Sequence, residues 1–358
     1  MLRHPHHALF RHDVNTQITQ KCENGSTEMT FKLGTLGAIL ICIAAMFIAP
    51  QMLVAKDSGQ IFVTNEKSST ITVLNLKHEV IESFPVCSRP RGIKFTADHN
   101  GFFVACGDDD TIAIYDIKTR KIIKRFRDIP DPETFDLHPD GKHLFASNEN
   151  DAFVSEIDVD TGETVAKFET GEEPEGILVT PDGKLVFATS EAGNVVHVLD
   201  PAKKTVLKTL LVGNRPRRFA LTPDGKELWV SAEVSGIVDI IDVATLTNIA
   251  RVDFLPPGMR HEQVTPVDLV ITKDGLKAYV ALGRADHVAV IDVKKRAVLD
   301  YVLVGKRPWG LALNHDDSEL YVANGFSDDI TVIDTATLTS VISVAVGRIP
   351  YGILIDDH

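Results

Sequence analysis

Cysteine and tryptophan are scarce in this chain of 358 residues, which contains four Cys and two Trp. Four cysteines are too few for a disulfide scaffold of this size, so a hydrophobic core has to hold the fold together. Basic residues are also outnumbered, with 37 Lys and Arg against 50 Asp and Glu and a net charge of −13. This acidic balance argues against a protein that binds nucleic acid through its overall charge.

The motifs of several common enzyme and cofactor sites are missing as well. The sequence contains no Cys-x-x-Cys-His for covalent haem, no Gly-x-Ser-x-Gly for a serine nucleophile and no His-Glu-x-x-His for zinc. Helical periodicity is missing beyond the N-terminal segment, which excludes a helical solenoid. Hydrophobic residues still make up 44% of the chain, which is enough for a packed core. These features favour a non-enzymatic, all-β protein.

The N-terminal 55 residues differ from the rest of the chain. Residues 33–49 form an uncharged apolar run that is short for a membrane span and typical of a secretory signal. Because Met29 lies just before this run, we interpret residues 1–28 as an upstream over-extension of the reading frame and residues 29–55 as a signal peptide. Leu53 is larger than cleavage sites prefer, so retention as a membrane anchor stays open. We expect residues 56–358 to be a monomer in the periplasm.

Residues 56–358 repeat one pattern seven times, mostly at steps of 42 residues, with one insertion at 255–262. A polar residue before a turn recurs as Asn75, Asp116, Asp158, Asp200, Asp242, Asp292 and Asp334. A proline recurs as Pro90, Pro132, Pro174, Pro216, Pro266, Pro308 and Pro350. An aromatic residue recurs as Phe62, Phe103, Phe145, Phe187, Trp229, Tyr279 and Tyr321. Three independent features with one shared spacing indicate a repeat fold.

Each period contains four short runs of apolar and β-branched residues that are separated by turn signals such as Asp224-Gly225. Four strands in about 40–45 residues is the spacing of a propeller blade. The pattern begins at a second strand, residues 60–64, and ends on a lone first strand, residues 351–355. The sequence therefore predicts an all-β, seven-bladed β-propeller with four antiparallel strands per blade. We expect the C-terminal strand to pair with the N-terminal blade and so close the ring.

Several blocks of the sequence resemble known propellers. The blocks 320–324, 330–334 and 346–352 resemble the YVTN β-propeller repeat family, and this resemblance extends over residues 60–355. The blocks 105–111, 130–133, 224–231 and 272–275 are similar to the branch associated with PQQ-dependent alcohol catabolism. The resemblance implies a secreted periplasmic propeller without an established catalytic role. The PQQ dehydrogenases themselves resemble eight-bladed, Trp-rich propellers, which this sequence does not fit.

The loops before the first strands and after the second strands share one rim of the predicted channel. Residues at equivalent rim positions differ between blades: two neighbouring blades carry acids and three others carry arginine. We interpret this as a polarised pocket in which arginines bind a carboxylate or quinone oxygens and carboxylates bind a cation such as Ca²⁺. A solvated polar rim is the alternative. The candidate ligand-binding residues are Arg89, Arg91, Asp131, Glu133, Glu149, Glu173, Glu175, Glu191, Arg215, Arg217, His261, Arg307, Trp309 and Tyr351.

Three smaller features each have two readings. His261 lies in the insertion and is either a metal or haem ligand or a surface-loop residue. Trp309 beside Arg307 either forms a stacking floor for a ligand or packs in the core. Cys87 and Cys106 fall near the same end of one predicted hairpin, so they form either a disulfide or two separate thiols.

The leading functional hypothesis is a non-enzymatic periplasmic propeller that binds a partner protein or small ligand at its rim, beside a PQQ-dependent oxidation system. A metal-dependent hydrolase of the lactonase kind is the alternative, with Glu133, Glu149, Glu173 and Glu191 around a divalent ion. A nucleic-acid-binding propeller is a third possibility, which the negative charge disfavours. No cofactor is predicted, although Ca²⁺ or another divalent metal remains open.

Overall fold

The computed structural model describes residues 57–357, which form 28 β-strands in seven four-stranded antiparallel sheets. The predicted over-extension and signal peptide lie outside these residues. Among the described residues, none of the helices has the length and apolar character needed to cross a membrane. Four short 3-10 turns accompany the strands, at Gly107–Asp109, Glu149–Asp151, His261–Gln263 and Gly283–Ala285.

The strands are numbered in chain order, and each sheet is one blade. The innermost strands are β4 (Pro90–Phe95), β8 (Phe135–Leu137), β12 (Pro174–Val179), β16 (Pro216–Leu221), β20 (Pro266–Ile271), β24 (Pro308–Leu313) and β28 (Pro350–Asp356). The second strands are β1 (Gln60–Asn65), β5 (Gly101–Cys106), β9 (His143–Asn148), β13 (Val186–Ser190), β17 (Glu227–Ala232), β21 (Lys277–Leu282) and β25 (Glu319–Asn324).

The two outer positions of each blade complete the sheets. The third strands are β2 (Thr70–Asn75), β6 (Thr111–Asp116), β10 (Phe153–Asp158), β14 (Val195–Asp200), β18 (Ile237–Asp242), β22 (His287–Asp292) and β26 (Asp329–Asp334). The outermost strands are β3 (Val80–Pro85), β7 (Ile122–Phe126), β11 (Thr164–Glu169), β15 (Thr205–Leu211), β19 (Thr247–Asp253), β23 (Ala297–Leu303) and β27 (Thr339–Ala345). The seven-bladed prediction is therefore confirmed.

The first blade closes the ring, as the phase of the repeat predicts. Strand β28 pairs with β1 antiparallel, with Gln60 opposite Asp356. The backbone N–H and the hydroxyl of Ser58 both donate to the Asp356 carboxylate, at 2.7 and 2.5 Å. Because the last strand pairs with β1 from the other end of the chain, the inner edge of β1 is not left open.

The recurring aromatic residues form the core between blades. All seven are nearly or fully buried, from Phe62 to Tyr321. Trp229, for example, packs in one cluster with Val238 of its own blade and Leu269 and Val280 of the next. Burial of side chains this large supplies much of the hydrophobic stabilisation, at about 1.5–3 kcal/mol for each. Each core spans two sheets, so a blade is stable only beside its neighbours.

A bulge near the start of the inner strands fixes the spacing of neighbouring blades. In β12 the register shifts between Pro174 and Ile177, which frees the N–H of Gly176 to donate to Thr189 Oγ1 at 2.8 Å. The Thr189 hydroxyl donates in turn to the Arg217 carbonyl of the next blade at 3.2 Å. A Cβ on Gly176 would lie 2.2 Å from that carbonyl, so the blades could not approach this closely with another residue there.

Candidate functional site

The candidate site is the mouth of the central channel, defined here as the residues that flank the recurring prolines and the loops that follow the second strands. The inner strands start there, so the side chains on either side of each proline converge from seven blades. The structure brings most of the predicted rim residues together at this mouth. The structure pairs arginines with carboxylates of neighbouring blades, whereas the prediction separated basic from acidic residues.

Arg89 and Arg91 bind acidic side chains of the neighbouring blades. The Arg89 guanidinium contacts Asp131, lies 2.5 Å from Glu133 Oε1 and lies 3.5 Å from Glu149 Oε2. Arg91 contacts the other oxygen of Glu133, and its Nε lies 3.1 Å from Glu66. Glu133 is fully buried, and the guanidiniums of Arg89 and Arg91 both contact its carboxyl group. Burial raises the pKa of the neighbouring Asp131 although Arg89 opposes this.

Arg217 is the centre of a second group of ion pairs. It is buried and contacts Glu191, while its Nη2 lies 3.3 Å from Glu175. Burial opposes ionisation of Glu175, but the charges of Arg217 and Arg218 outweigh it and lower the pKa of Glu175 to about 2. Burial and then the charge of Glu175 raise the pKa of Glu191 to about 8, although Arg217 and Arg215 oppose this. These surroundings therefore favour the ionised form of Glu175 and the protonated form of Glu191.

Two aromatic rings sit among the arginines of the mouth. The ring centres of Trp309 and Tyr351 are 5.2 Å apart. The guanidinium carbons of Arg307 and Arg217 lie 5.3 and 5.8 Å from the centre of the Trp309 ring. Those of Arg91 and Arg218 lie 4.9 and 5.3 Å from the centre of the Tyr351 ring. Four cations thus surround an aromatic pair at distances where cation–π attraction operates.

Several N–H donors of the mouth have no acceptor. The buried Nε atoms of Arg217 and Arg307 and the indole Nε1 of Trp309 make no hydrogen bond within the described residues. Buried N–H groups normally find an acceptor, so three such donors in one place form an unusual set. A cavity of about 250 Å³ lies along the channel below the mouth. The charged residues of its lining are Lys94, Asp136, Arg218 and Asp268, and the rings of Trp309 and Tyr351 also line it.

The structure differs from the predicted polarised pocket. Adjacent blades carry opposite charges and pair across the gap between them, so the mouth does not separate into an acidic and a basic side. Arg215 lies 2.8 Å from Glu191, and Arg307 lies 2.7 Å from Glu233. The signal was available in the sequence, since arginines of one blade stand at the same repeat positions as acids of the next.

The predicted carboxylate set for a metal is not brought to one point. Glu133 and Glu149 both contact Arg89, whereas Glu191 contacts Arg217. Glu173 is exposed. Among the described residues, the carboxylates close enough to share an ion at the mouth are instead Asp131, Glu133 and Glu149. His261 is exposed in the insertion and belongs to no metal-ligating group of the described part of the chain.

Cys87 and Cys106 form a disulfide, with Cα atoms 5.6 Å apart. The bond joins the segment before β4 to the end of β5. It lies close in sequence to Arg89 and Arg91, so it anchors the segment that carries both arginines.

Sequence reasoning missed two charged residues in the channel, Arg218 and Asp268. Both stand two residues after a recurring proline, where four other blades have glycine. The Asp268 carboxylate accepts the N–H of Leu311 in the next blade at 2.8 Å, and Arg218 lies 3.0 Å from Glu175. A charged residue in a column of glycines was the signal that could have identified them.

Two family models match the chain. The model for YNCE-like beta-propellers matches residues 38–221, which is just over half of the chain. The chain belongs to the YNCE-like β-propeller family. A model for lactonases with a 7-bladed beta-propeller matches residues 205–351 of this YNCE-like propeller. No curated protein matches the chain.

Solved structures of other propellers are similar in fold. A chain of Kuenenia stuttgartiensis hydrazine synthase is 21% identical with a TM-score of 0.70, over 78% of this YNCE-like chain and 93% of that chain. A functionally unknown protein from Desulfotomaculum acetoxidans is 16% identical with a TM-score of 0.72, over 84% and 99%. A candidate 6-phosphogluconolactonase from Bacteroides uniformis is 14% identical with a TM-score of 0.70, over 82% and 98%. At these identities the similarity shows the fold alone.

Proposed function

We propose that this YNCE-like propeller is a non-enzymatic periplasmic binding protein whose channel mouth takes a small ligand with carboxylate or quinone oxygens. The observation that carries the proposal is the set of buried N–H donors without acceptors on Arg217, Arg307 and Trp309. Oxygen acceptors of a ligand would satisfy such donors, and guanidinium groups favour planar carboxylates. The adjoining cavity of about 250 Å³ provides room for part of a small molecule.

The resemblance of several sequence blocks to the branch associated with PQQ-dependent alcohol catabolism suggests the setting. We propose that the protein is exported through its N-terminal segment and acts beside a quinoprotein oxidation system. PQQ itself carries three carboxylates and two quinone oxygens, and is flat enough to stack on an aromatic ring. Its chemistry therefore matches the arginines and the Trp309–Tyr351 pair of the mouth.

A lactonase-like hydrolase is the second candidate, favoured by the family model that matches residues 205–351. The cluster of Asp131, Glu133 and Glu149 offers carboxylate oxygens to a divalent ion. Arg89 already contacts all three carboxylates, so an ion there would have to displace a guanidinium. This arrangement supports the binding function over metal-dependent hydrolysis.

Calorimetric titration of the full chain with PQQ, and separately with citrate, tests the proposal. We expect PQQ to bind, and we expect Trp309→Phe and Arg218→Met to weaken it about tenfold or more, because each removes a donor or cation from the mouth. Trp309→Phe keeps an aromatic ring but removes the indole N–H together with part of the ring surface. Arg296→Met is the matched control, because Arg296 pairs with Glu227 on the surface, 2.6 Å away, far from the mouth.

The outcomes separate the ligand classes. Binding of both PQQ and citrate would indicate recognition of carboxylates, and binding of PQQ alone would indicate that the quinone ring is also required. If neither compound binds, or if the mouth variants bind as well as the wild type, the proposal is wrong. A Ca²⁺-induced increase in thermal stability that Glu149→Gln abolishes would support the hydrolase instead.

A further inference from the structure

The third blade carries a second polar cluster at the end of its strands opposite to the mouth. It lies in the hairpin turn between β8 and β9 and consists of His138, Asp140 and His143. Asp140 Oδ2 lies 2.9 Å from His138 Nδ1 and 2.7 Å from His143 Nδ1. One ligand atom from each of the three residues lies within 4.8 Å of the others. Two imidazoles and one carboxylate are a common ligand set for divalent transition metals.

The other blades show that this turn does not need histidine. At the position of His138 the corresponding turns have Thr96, Thr180, Thr222 and Thr272, and each hydroxyl donates to an aspartate two residues later at 2.6–2.8 Å. At the position of His143 they have residues as different as Gly101, Leu185 and Lys277. The third blade therefore departs from the repeat twice within one turn.

A third departure faces the same cluster. Glu156 in β10 pairs with Phe145 of β9, at a position where the other six blades have Val or Ile. It is only 5% exposed, and its Oε2 makes no hydrogen bond within the described residues. Its Oε1 lies 3.9 Å from His143 Nε2. A buried carboxylate oxygen without a hydrogen bond lowers the stability of the folded state. A carboxylate kept in this position beside the imidazole of His143 therefore suggests a function.

The hydrogen bonds of His138 point to a missing positive charge. Its Nε2 lies 3.0 Å from the Gly183 carbonyl and its Nδ1 lies 2.9 Å from the Asp140 carboxylate, and both of these groups only accept hydrogen bonds. A neutral imidazole has a single N–H, so one of its nitrogens then presents a lone pair to an acceptor. The Asp140 N–H is directed at Nδ1 from 3.3 Å, which places the lone pair there. A metal ion between Nδ1 and the carboxylate would resolve this contact.

We propose that His138, Asp140 and His143 bind one divalent transition metal ion such as Zn²⁺, through the two Nδ1 atoms and the carboxylate. The remaining ring nitrogens are then directed at the Gly183 carbonyl and the Glu156 carboxylate. Metal-binding histidines commonly donate their second N–H to such groups, which fix the ring and raise its basicity. Three protein ligands leave a position for water or for a ligand from outside.

Calorimetric titration of the full chain with Zn²⁺ at pH 7.5 tests this site. We expect the wild type to bind one more equivalent of Zn²⁺ than His138→Thr or His143→Leu, which restore residues that other blades carry and so should fold. The histidines of the N-terminal segment are the same in every variant and cancel in this difference. His261→Ala removes an exposed histidine elsewhere and should bind as the wild type does. Equal stoichiometry in the wild type and both turn variants would overturn the proposal.

Glu156→Val tests the second carboxylate separately. This change keeps all three ligands, so we expect one equivalent still to bind but about 10–100-fold more weakly. Visible absorption of the Co²⁺ form should accompany binding in the wild type and disappear in His143→Leu. Unchanged affinity in Glu156→Val would show that Glu156 does not support the site.

Discussion

The two ends of the propeller use the repeat in different ways. At the mouth, equivalent positions hold different charged residues in almost every blade, and those residues pair between blades. At the opposite end, four hairpin turns repeat one Thr–Asp hydrogen bond, and among the described turns only that of the third blade brings two histidines to one aspartate. At both ends, residues that depart from the repeat mark the positions where a blade has a role beyond maintaining the fold.

The comparison also separates two kinds of buried charge. At the mouth, the guanidiniums of Arg217 and Arg218 lower the pKa of the buried Glu175. Glu156 at the other end has no guanidinium partner within residues 57–357, and burial raises its pKa. Within the described residues, the buried carboxylates of the mouth thus have guanidinium partners while several of its N–H donors lack acceptors, and the buried carboxylate of the third blade lacks a cation.

The largest effect is expected from Arg217→Met at the mouth. This change leaves Glu175 and Glu191 buried beside one fewer guanidinium and should lower the free energy of unfolding by about 3–5 kcal/mol. Urea unfolding followed by circular dichroism measures the change. Arg215→Met is the matched control: Arg215 is 47% exposed, and its loss should lower stability by about 1 kcal/mol or less. Equal losses in the two variants would mean that the mouth is not organised around Arg217.

The disulfide should come next in size. Replacing both Cys87 and Cys106 by alanine should lower the free energy of unfolding by about 3 kcal/mol, because the unfolded chain gains conformational freedom. A reducing agent should lower the unfolding midpoint of the wild type to that of the double variant and leave the midpoint of the double variant unchanged. A reducing agent that affects both proteins equally would show that the bond does not form.

The proton on Glu191 should give a pH dependence of the opposite sign to that of Glu175. The pKa of Glu191 rises on folding from 4.5 to about 8, so the folded state binds the extra proton and Glu191 contributes less to stability as pH rises through this window. The pKa of Glu175 falls to about 2, so its contribution is present above pH 4.5 and is lost as pH falls towards 2.

Melting temperatures measured from pH 5 to pH 8 test this sign. Glu191→Gln mimics the protonated acid, so its melting temperature should decline less than that of the wild type over this range. A steeper decline in Glu191→Gln than in the wild type would contradict the assignment of the proton to Glu191.

The smallest effect is expected at the opposite end. In the absence of metal, Glu156→Val should raise the free energy of unfolding by about 1 kcal/mol, because it replaces a buried carboxylate by the residue type that the other blades use. Chemical unfolding in the presence of a chelator measures this gain. A loss of stability in Glu156→Val would show that the carboxylate stabilises the blade without a metal ion.

The repeat made the fold predictable because each blade repeats the same local pattern. The spacing from Phe62 to Tyr321 and the lone strand at residues 351–355 predicted both the blade number and the closure. Strand β8 is the exception, since it begins at Phe135 whereas the other inner strands begin at the recurring proline.

The candidate site was predictable in its residues but not in its contacts. Arg89 and Glu133 were both identified, yet their pairing depends on how far side chains reach between neighbouring blades. His138 and Glu156 are 18 residues apart in the sequence, and each looks like an isolated exception there. The pairing of β9 with β10 places Glu156 beside the turn that holds His138 and His143. Aligning the seven copies in columns would have revealed both, since each stands alone in its column.

One measurement tests the division between the two ends most directly: anomalous diffraction from crystals of the full chain grown with Co²⁺. The account predicts a single strong peak among the described residues, between His138, Asp140 and His143. It predicts none between Asp131, Glu133 and Glu149, because Arg89 already contacts all three carboxylates and an ion would have to displace it. A peak at the mouth, or no peak in the third-blade turn, would contradict the account.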